Sequence, residues 1–282
     1  MYDLTSPSVI RHLCDEYGFS FKKSFGQNFL TDKDVLFDIA EAADAEGILE
    51  IGPGFGTLTA ALALKAKKVV SVELDRSLEP VLAETLAGFD NITLHFNDIM
   101  KTDIAQLIDE ELEGLEVSVA ANLPYYVTTP ILMKLLEGKY RFKNIVMMVQ
   151  KEVADRIVAK PGKKDYGALT LAVGYYAEAK IIDSVPAEKF IPSPKVDSAV
   201  VALEFLRAPP IEADEKDYFR LVKAAFSQRR KTLLNALANS GAYGGKENIK
   251  AVLEQMGYDT NVRGETLSMK EFSDLAIKFN SK

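Results

Sequence analysis

Short β-branched runs alternate with helical segments along the first part of this chain, and this alternation constrains the fold most strongly. Five runs are typical of strands, at residues 47–51, 69–73, 92–95, 117–121 and 144–150. Between them apolar residues recur at helical spacing, as Leu132, Leu135 and Leu136 do. Strands that alternate with helices predict a mostly parallel sheet covered on both faces. The predicted fold class is therefore α/β, with a Rossmann-like sheet.

The pattern changes in the last part of the chain. Two strand-like runs, 180–185 and 199–205, follow one another without a convincing helix between them, which predicts a closing antiparallel pair. Beyond Pro209–Pro210 the spacing is helical, at residues 217–239, 246–256 and 268–279. We therefore predict an α/β domain over residues 1–208 and a small all-helical domain over residues 209–282.

Composition and cysteine usage narrow the class of protein. The chain of 282 residues is 48% hydrophobic, which is ample for a buried core. No apolar run approaches the roughly 20 residues that a membrane span needs. The single cysteine, Cys14, cannot form an internal disulfide, so we expect a cytoplasmic protein. The two histidines, His12 and His95, lie far apart in the sequence, so we expect no metal site.

Charge is distributed unevenly along the chain. The net charge of −7 argues against a nucleic-acid partner, but acids dominate residues 73–116 and bases dominate residues 139–164. A second basic stretch, residues 216–250, contains the run Arg229-Arg230-Lys231. Local charge sets the attraction to a phosphate backbone, so both stretches are candidate nucleic-acid contacts. A solvated helix face explains either stretch alone equally well.

A glycine-rich turn, Gly52-Pro53-Gly54, follows the first predicted strand. Its glycines let the backbone turn sharply and let a ligand approach without a Cβ in the way. Thr57 is predicted to cap the next helix through its hydroxyl. Glu73 ends the second strand 21 residues after Gly52, where a carboxylate can accept both hydroxyl hydrogens of a ribose. Asp98 ends the third strand, where it can accept from an adenine amino group.

The surroundings of this turn favour S-adenosylmethionine over a dinucleotide as the ligand. A dinucleotide-binding turn usually shows G-x-G-x-x-G, whereas the glycines here fall as G-P-G-F-G. S-adenosylmethionine carries a sulfonium and an ammonium but no phosphate, so it suits a turn beside strong acids. An NAD-dependent dehydrogenase accounts for the glycine turn alone and is the weaker alternative.

The segment Asn122-Leu123-Pro124-Tyr125 follows an apolar strand and combines an amide, a rigid turn and an aromatic ring. In a doubly wound sheet it is expected to face the glycine turn across one crevice. The Asn122 oxygen and the Leu123 carbonyl can accept both N–H bonds of an adenine amino group, which directs its lone pair at a methyl donor. Pro124 fixes these acceptors, and Tyr125 offers a face for base stacking. The two segments together predict methyl transfer onto a nucleobase.

An ordered series of motifs runs through the chain. They are Phe25-Gly26-Gln27-Asn28-Phe29-Leu30, Glu50-Ile51-Gly52-Pro53-Gly54, Glu73-Leu74-Asp75, Asn122-Leu123-Pro124-Tyr125, Gln150-Lys151-Glu152-Val153-Ala154, Tyr166-Gly167-Ala168-Leu169, Phe190-Ile191-Pro192-Ser193-Pro194-Lys195-Val196-Asp197-Ser198 and Phe226-Ser227-Gln228-Arg229-Arg230-Lys231-Thr232-Leu233. By these motifs the chain resembles the KsgA-type ribosomal RNA adenine N6,N6-dimethyltransferases over nearly its whole length. One motif alone is suggestive, whereas the full ordered set is specific.

The resemblance implies a class I methyltransferase fold, S-adenosylmethionine as methyl donor, and two adjacent adenosines near the 3′ end of small-subunit (16S) rRNA as substrate. Each adenosine receives two methyl groups. The implied cofactor-binding residues are Gln27, Asn28, Leu30, Gly52, Gly54, Glu73, Leu74, Asp98, Ile99 and Asn122. The implied catalytic residues are Asn122, Leu123, Pro124, Tyr125 and Phe190. Phe190 is expected to stack on the target base opposite Tyr125, although by sequence alone it fits a core position better.

The target adenosine is expected to be single-stranded or flipped, because base pairing engages its amino group. Expected phosphate contacts are Arg156, Lys160, Lys163, Lys164, Arg229, Arg230 and Lys231, with the last three on the first helix of the C-terminal domain. The expected partner is small-subunit rRNA within a ribosomal subunit or an assembly intermediate. The expected oligomeric state is a monomer.

Three further alternatives are open at the level of sequence. An antibiotic-resistance methyltransferase of large-subunit rRNA shares the motifs of the catalytic half, and the motif around Arg229 favours the small-subunit substrate. A DNA adenine methyltransferase usually carries a turn closer to N-P-P-Y and needs a base-reading module. A ribosome-assembly factor that acts by binding alone has no need to retain Asn122 and Glu73, so their presence favours an enzyme.

Overall fold

The structure is a computed structural model that describes residues 2–19 and 28–281. Its strands are β1 (Phe29–Leu30), β2 (Gly47–Ile51), β3 (Lys68–Glu73), β4 (Ile92–Phe96), β5 (Val117–Asn122), β6 (Phe142–Gln150), β7 (Ala177–Val185), β8 (Phe190–Ile191) and β9 (Ser198–Phe205). Its helices are α1 (Pro7–Glu16), α2 (Lys33–Ala42), α3 (Thr57–Ala63), α4 (Glu79–Thr85), α5 (Ile104–Glu111), α6 (Thr128–Glu137), α7 (Lys151–Ile157), α8 (Ala168–Tyr176), α9 (Glu215–Phe226), α10 (Leu233–Ser240), α11 (Lys246–Gln255) and α12 (Met269–Asn280).

A seven-stranded sheet forms the centre of the fold, in the order β4-β3-β2-β5-β6-β9-β7. Strands β2 to β6 pair in parallel, and β9 pairs antiparallel with β6. All seven predicted strands are present, and β7 lies next to β9 at one edge. The predicted Rossmann-like α/β sheet is therefore confirmed. A separate antiparallel pair joins β1 and β8.

The apolar runs become the central strands because helices cover both faces of the sheet. Every residue of β2 is buried, and so are the first five residues of β5. Leu132, Leu135 and Leu136 form the buried face of α6, as their spacing predicts. Burial of each such leucine stabilises the fold by roughly 1.5–3 kcal/mol. Within the described residues, no helix has both the length and the apolar character of a membrane span.

Two compact units make up the chain: Met1–Ala154 with Ala179–Phe205, and Asp155–Glu178 with Leu206–Lys282. The division predicted at residue 208 differs from these units, because it leaves residues 155–178 with the sheet. In the structure Tyr166 and Tyr175 from this segment are buried in the core of the second unit. The Tyr166 hydroxyl also donates to the Leu267 carbonyl oxygen at 2.8 Å. The second unit thus recruits α8 to its helical core.

The helix predicted over 217–239 is two helices, α9 and α10, separated by a turn at residues 227–232. The Ser227 hydroxyl donates to the Ala224 carbonyl oxygen at 2.7 Å at the end of α9, and the Thr232 side chain caps α10. Arg229-Arg230-Lys231 therefore lies in this turn, and the prediction that it is helical was wrong. The other two predicted helices are α11 and α12.

The turn from β2 into α3 depends on glycine. Gly56 is the N-cap of α3 with a left-handed φ of 83°, and no side chain caps this helix. The prediction that Thr57 is the cap was wrong, because Thr57 is already the first helical residue. A Cβ at Gly56 would lie 2.8 Å from Leu86 Cδ2, whose side chain is buried.

We expect Gly56→Ala to lower the free energy of unfolding by about 2–4 kcal/mol, because it adds both left-handed strain and a clash with Leu86. Gly114→Ala is the matched control, since Gly114 has φ of 76° but a Cβ added there would meet no atom within 4 Å. The control is expected to cost about 1–2 kcal/mol from strain alone. Urea unfolding measures both values, and equal losses in the two variants would contradict the role of Leu86.

Candidate active site

One cavity opens at the carboxyl ends of β2, β3, β4 and β5. Most predicted cofactor-binding and catalytic residues line it: Asn28, Leu30, Gly52, Gly54, Glu73, Leu74, Asp98, Ile99, Asn122, Leu123, Pro124, Tyr125 and Phe190. Gln27 lies outside the described residues. The described residues that line the cavity carry three carboxylates, Glu73, Asp75 and Asp98, and no basic side chain.

The glycine turn and the Asn122 turn face each other because β2 and β5 are parallel neighbours. Ile51 pairs in register with Ala121, so the two strands end at the same level. A Cβ at Gly52 would lie 3.5 Å from Leu123 Cδ2 and 4.0 Å from the Asn122 carbonyl oxygen. The crevice predicted by fold analogy is therefore present.

An aromatic pair supports the glycine turn from behind. The rings of Phe29 and Phe55 stack with their centroids 4.4 Å apart. Gly54 has φ of 59°, and a Cβ there would lie 2.9 Å from Phe29 Cε1. Only glycine fits between the ring and the cavity at this position.

Glu73 is fixed at the end of β3 by two backbone donors. Its Oε2 accepts from the Gly54 N–H at 3.3 Å, and its Oε1 accepts from the Asp75 N–H at 2.7 Å. Burial raises the pKa of Glu73, and these two hydrogen bonds oppose that shift. The carboxylate is thus oriented before any ligand binds, with lone pairs left for hydroxyl donors.

Asp98 lies in the loop that follows β4, two residues after the strand ends. Its Oδ1 accepts from the Met100 N–H at 2.9 Å, and Lys101 Nζ lies 3.6 Å from its Oδ2. The side chain of Asp98 is 30% exposed, so it keeps acceptor capacity toward the cavity.

Glu50 is fully buried beneath the glycine turn, between β2 and β3. Its Oε2 accepts from the Ser71 hydroxyl at 2.6 Å, and the buried Thr59 hydroxyl lies close enough to the carboxyl group to lower its pKa. Burial raises the pKa of Glu50 to about 7. A neutral carboxyl group accounts for this environment, because it avoids an unpaired charge in the core.

The two aromatic residues predicted to hold the base are positioned by different contacts. The Tyr125 hydroxyl lies 2.7 Å from Ser198 Oγ, and burial raises the pKa of Tyr125. Phe190 is 3% exposed and pairs with Leu30 across β1 and β8. It belongs to the apolar core, as its sequence position suggests, and it also lines the cavity, while stacking on the target base stays a prediction.

The sequence-based prediction missed two contacts around the cavity. Ser198 was expected only as part of a motif, and its hydrogen bond to Tyr125 joins positions 73 residues apart in sequence. Lys134 on α6 donates to carbonyl oxygens of the loop that contains Asp98. Neither contact has a local sequence signal, because each joins separate elements.

The predicted basic residues all belong to the second compact unit. Arg229 Nη2 donates to the Lys164 carbonyl oxygen, which brings the two basic stretches together. Arg263, which the sequence-based prediction missed, donates from Nη2 to the Arg229 carbonyl oxygen at 2.6 Å. Lys160, Lys163, Lys164, Arg230 and Lys231 are exposed, and Arg156 is half-buried.

The family model for ribosomal RNA adenine dimethylase matches residues 18–276. The chain belongs to this family. It is 50% identical over 281 residues to the ribosomal RNA small subunit methyltransferase A of Geobacillus sp. (strain WCH70), covering 97% of each chain. It is 48% identical over 283 residues to the protein of that name from Bacillus cytotoxicus, covering 98% of this chain and 97% of the relative.

Two solved structures are also similar to this chain. A dimethyladenosine transferase from Plasmodium falciparum aligns with a TM-score of 0.74 at 28% identity, covering 89% of this chain and 97% of that one. The 23S rRNA methyltransferase ErmE aligns with a TM-score of 0.66 at 26% identity, covering 90% and 100%. The predictions of a methyltransferase fold and an rRNA adenine dimethyltransferase activity are confirmed.

S-adenosylmethionine is the methyl donor of this family, as predicted. The polar side chains that line the cavity fit this ligand. Glu73 and Asp98 are hydrogen-bond acceptors at successive strand ends, which suits ribose hydroxyls and an adenine amine. A cavity lined by carboxylates and by no basic side chain favours a cationic ligand that carries no phosphate group. In the described part of the chain no three His, Cys, Asp or Glu side chains converge as metal ligands do.

We expect Glu50→Gln to stabilise the protein increasingly as pH rises. The folded-state pKa of Glu50, about 7, lies above its ordinary value of 4.5. The favourable contribution of the neutral carboxyl is therefore complete below 4.5 and is lost as pH rises through the folded-state value. The stability difference between variant and parent is expected to grow by about 3 kcal/mol over that range. Urea unfolding over a pH series measures it, and a difference independent of pH would contradict the buried neutral state.

Proposed function

We propose that the protein transfers methyl groups to the 6-amino groups of two adjacent adenosines near the 3′ end of small-subunit (16S) rRNA, giving two N6,N6-dimethyladenosines. Relatives with 50% and 48% identity over nearly their full length carry the name small subunit methyltransferase A. The similarity to the 23S enzyme ErmE is lower, at 26%. The observation that carries the proposal is the Asn122–Leu123 turn lying against Gly52 in one acid-lined cavity.

Asn122 and Leu123 activate the adenine amine in this proposal. An exocyclic adenine nitrogen is a poor nucleophile, because its lone pair is delocalised into the ring. The Asn122 side-chain oxygen and the Leu123 carbonyl oxygen accept its two N–H bonds and favour a pyramidal nitrogen. Pro124 holds both acceptors in place before the substrate arrives. S-adenosylmethionine supplies an electrophilic methyl group on a positively charged sulfur.

Asn122 and Leu123 act by orientation and not by removing a proton. Holding the amine in line with the donor lowers the entropic part of the barrier. The sulfur–methyl bond of the donor breaks as the nitrogen–methyl bond forms, so a neutral thioether leaves and the positive charge passes to the methylated amine. Its proton is then acidic and leaves to water without a strong base. The cavity lining agrees, because it contains no histidine or cysteine among the described residues.

Tyr125 and Phe190 hold the target base by its faces in this proposal. Both line the cavity, and the Ser198 hydroxyl fixes the Tyr125 ring. Base–aromatic stacking contributes on the order of 1–3 kcal/mol per base. A base held in this way must be unpaired, so the substrate is a single-stranded or flipped nucleotide.

The exposed basic residues of the second unit contact rRNA phosphates in this proposal. Lys160, Lys163, Lys164, Arg230 and Lys231 are free to point at the backbone, whereas Arg229 holds the Lys164 loop. The partner is small-subunit rRNA within a ribosomal subunit or an assembly intermediate, and the protein acts as a monomer.

We expect Asn122→Ala to lower the methylation rate by about 100-fold, because it removes one of the two acceptors for the amine. The measurement is transfer of labelled methyl groups to isolated small subunits, followed by mass spectrometry of the rRNA. The thermal midpoint without ligand and rRNA binding are expected to stay close to those of the parent protein.

Asn97→Ala is the matched control, since Asn97 also lines the cavity but lies outside the catalytic turn. It is expected to reduce the rate far less than Asn122→Ala. Methylation by Asn122→Ala at the parental rate would show that the amide has another role. Modified adenosines mapped to large-subunit rRNA would instead overturn the proposed substrate.

We expect rRNA binding to weaken steeply with added salt, and the double variant Arg230→Ala/Lys231→Ala to reduce that dependence. The slope of log affinity against log salt should become shallower by about 1.4, since each lost contact with single-stranded RNA removes about 0.7. Lys65→Ala/Lys67→Ala, which removes two lysines of the first unit, is the control and should leave the slope unchanged. Fluorescence anisotropy with a 3′-terminal rRNA fragment measures both. A flat salt response in the parent protein would contradict the phosphate contacts.

A further inference from the structure

The loop after β4 forms one wall of the cavity. Asp98, Ile99 and Met100 all line it. Within the loop, the Asp98 side chain accepts from the Met100 N–H at 2.9 Å, and the Asp98 carbonyl oxygen accepts from the Thr102 N–H at 3.0 Å. These short-range bonds define the shape of the loop but do not attach it to the rest of the sheet.

Lys134 attaches this loop to α6. Its Nζ donates to the Met100 carbonyl oxygen at 2.9 Å and to the Thr102 carbonyl oxygen at 2.8 Å. Both are charge-assisted hydrogen bonds, which are stronger than bonds between neutral groups. Lys134 does not line the cavity itself, so any effect that it has on a ligand passes through the loop.

Helix α6 is a suitable anchor because it begins shortly after the Asn122-Leu123-Pro124-Tyr125 segment. It begins at Thr128, whose hydroxyl donates to the Pro124 carbonyl oxygen at 3.2 Å. Ile131 on the same helix lines the cavity. Lys134 thereby ties the loop that carries Asp98 to the helix that follows Asn122-Leu123-Pro124-Tyr125.

The loop needs an external tie because its surface is open. Met100 is 43% exposed, and the Asp98 side chain is 30% exposed. Ile99 between them is buried, but the exposed backbone hydrogen bonds of such a loop open at low free-energy cost. The two hydrogen bonds from Lys134 Nζ to the Met100 and Thr102 carbonyl oxygens restrict such opening next to Asp98.

We propose that Lys134 is a positioning residue for the cofactor: by clamping the Met100 and Thr102 carbonyls to α6, it holds Asp98 at the distance needed to accept from the adenine amine. The inference rests on the role of Asp98 in the proposed function and extends it to a residue outside the cavity. Lys134 contributes to affinity and adenine selectivity without touching the ligand.

A double-mutant cycle on S-adenosylhomocysteine binding tests this inference by isothermal titration calorimetry. Lys134→Met keeps the length of the side chain but donates no hydrogen bond, and it should weaken binding about tenfold. Asp98→Ala should weaken binding at least as much. The double variant should be no more than about twofold weaker than Asp98→Ala, because the lysine acts through the aspartate.

Lys134→Arg should recover most of the affinity, because a guanidinium also donates to two carbonyls. Lys139→Met is the matched control, since Lys139 is exposed just beyond the end of α6, and it should bind like the parent. Lys134→Gln, which can donate to one carbonyl, should fall between Met and Arg and replaces Lys134→Met should that variant fail to fold.

Parental affinity in Lys134→Met, or losses that multiply in the double variant, would overturn the inference while leaving the proposed function intact. Parental affinity in Asp98→Ala would overturn the role of Asp98 in the proposed function, and the inference with it. A thermal midpoint measured without ligand separates loss of folding from loss of binding in each variant.

Discussion

The parallel pairing of β2 with β5 is the constraint on which the site depends. Strands that run in parallel end at the same edge, so the glycine turn after β2 and the Asn122 turn after β5 meet there. The register is such that a side chain at Gly52 would contact Leu123. Glycine allows the positive φ that the first turn requires, and Pro124 restricts the backbone of the second.

Charge is separated between the two compact units, and each unit matches one kind of ligand. The cavity of the first unit carries carboxylates and suits a cationic methyl donor. The second unit carries the exposed lysines and arginines that suit a phosphate backbone. This separation explains how a chain of net charge −7 can use RNA as a substrate. The same net negative charge, distributed uniformly, would repel the phosphate backbone.

The sequence predicted the sheet well because its signals are local. Strands β2 and β5 are mostly apolar runs, and the elements after Pro209–Pro210 are helical as expected. The errors occur where a single residue determines where a helix begins or ends. Ser227 and Thr232 divide a long helical pattern in two, and Gly56 replaces Thr57 as the cap of α3. Hydrophobic periodicity alone does not detect such changes, because the apolar spacing continues across them.

The sequence by itself determined the order of strands and helices, the glycine turn, the Asn122 turn and the positions of Glu73 and Asp98 at the cavity, because each is encoded within a few adjacent residues. Only the tertiary structure decided which distant groups meet: Tyr125 with Ser198, Arg229 with the Lys164 loop, and Lys134 with the carbonyls after Asp98. It also decided that residues 155–178 join the second unit. The physical reason is that hydrogen bonds and buried contacts between separate elements depend on how those elements pack, and packing leaves no local pattern in a single sequence.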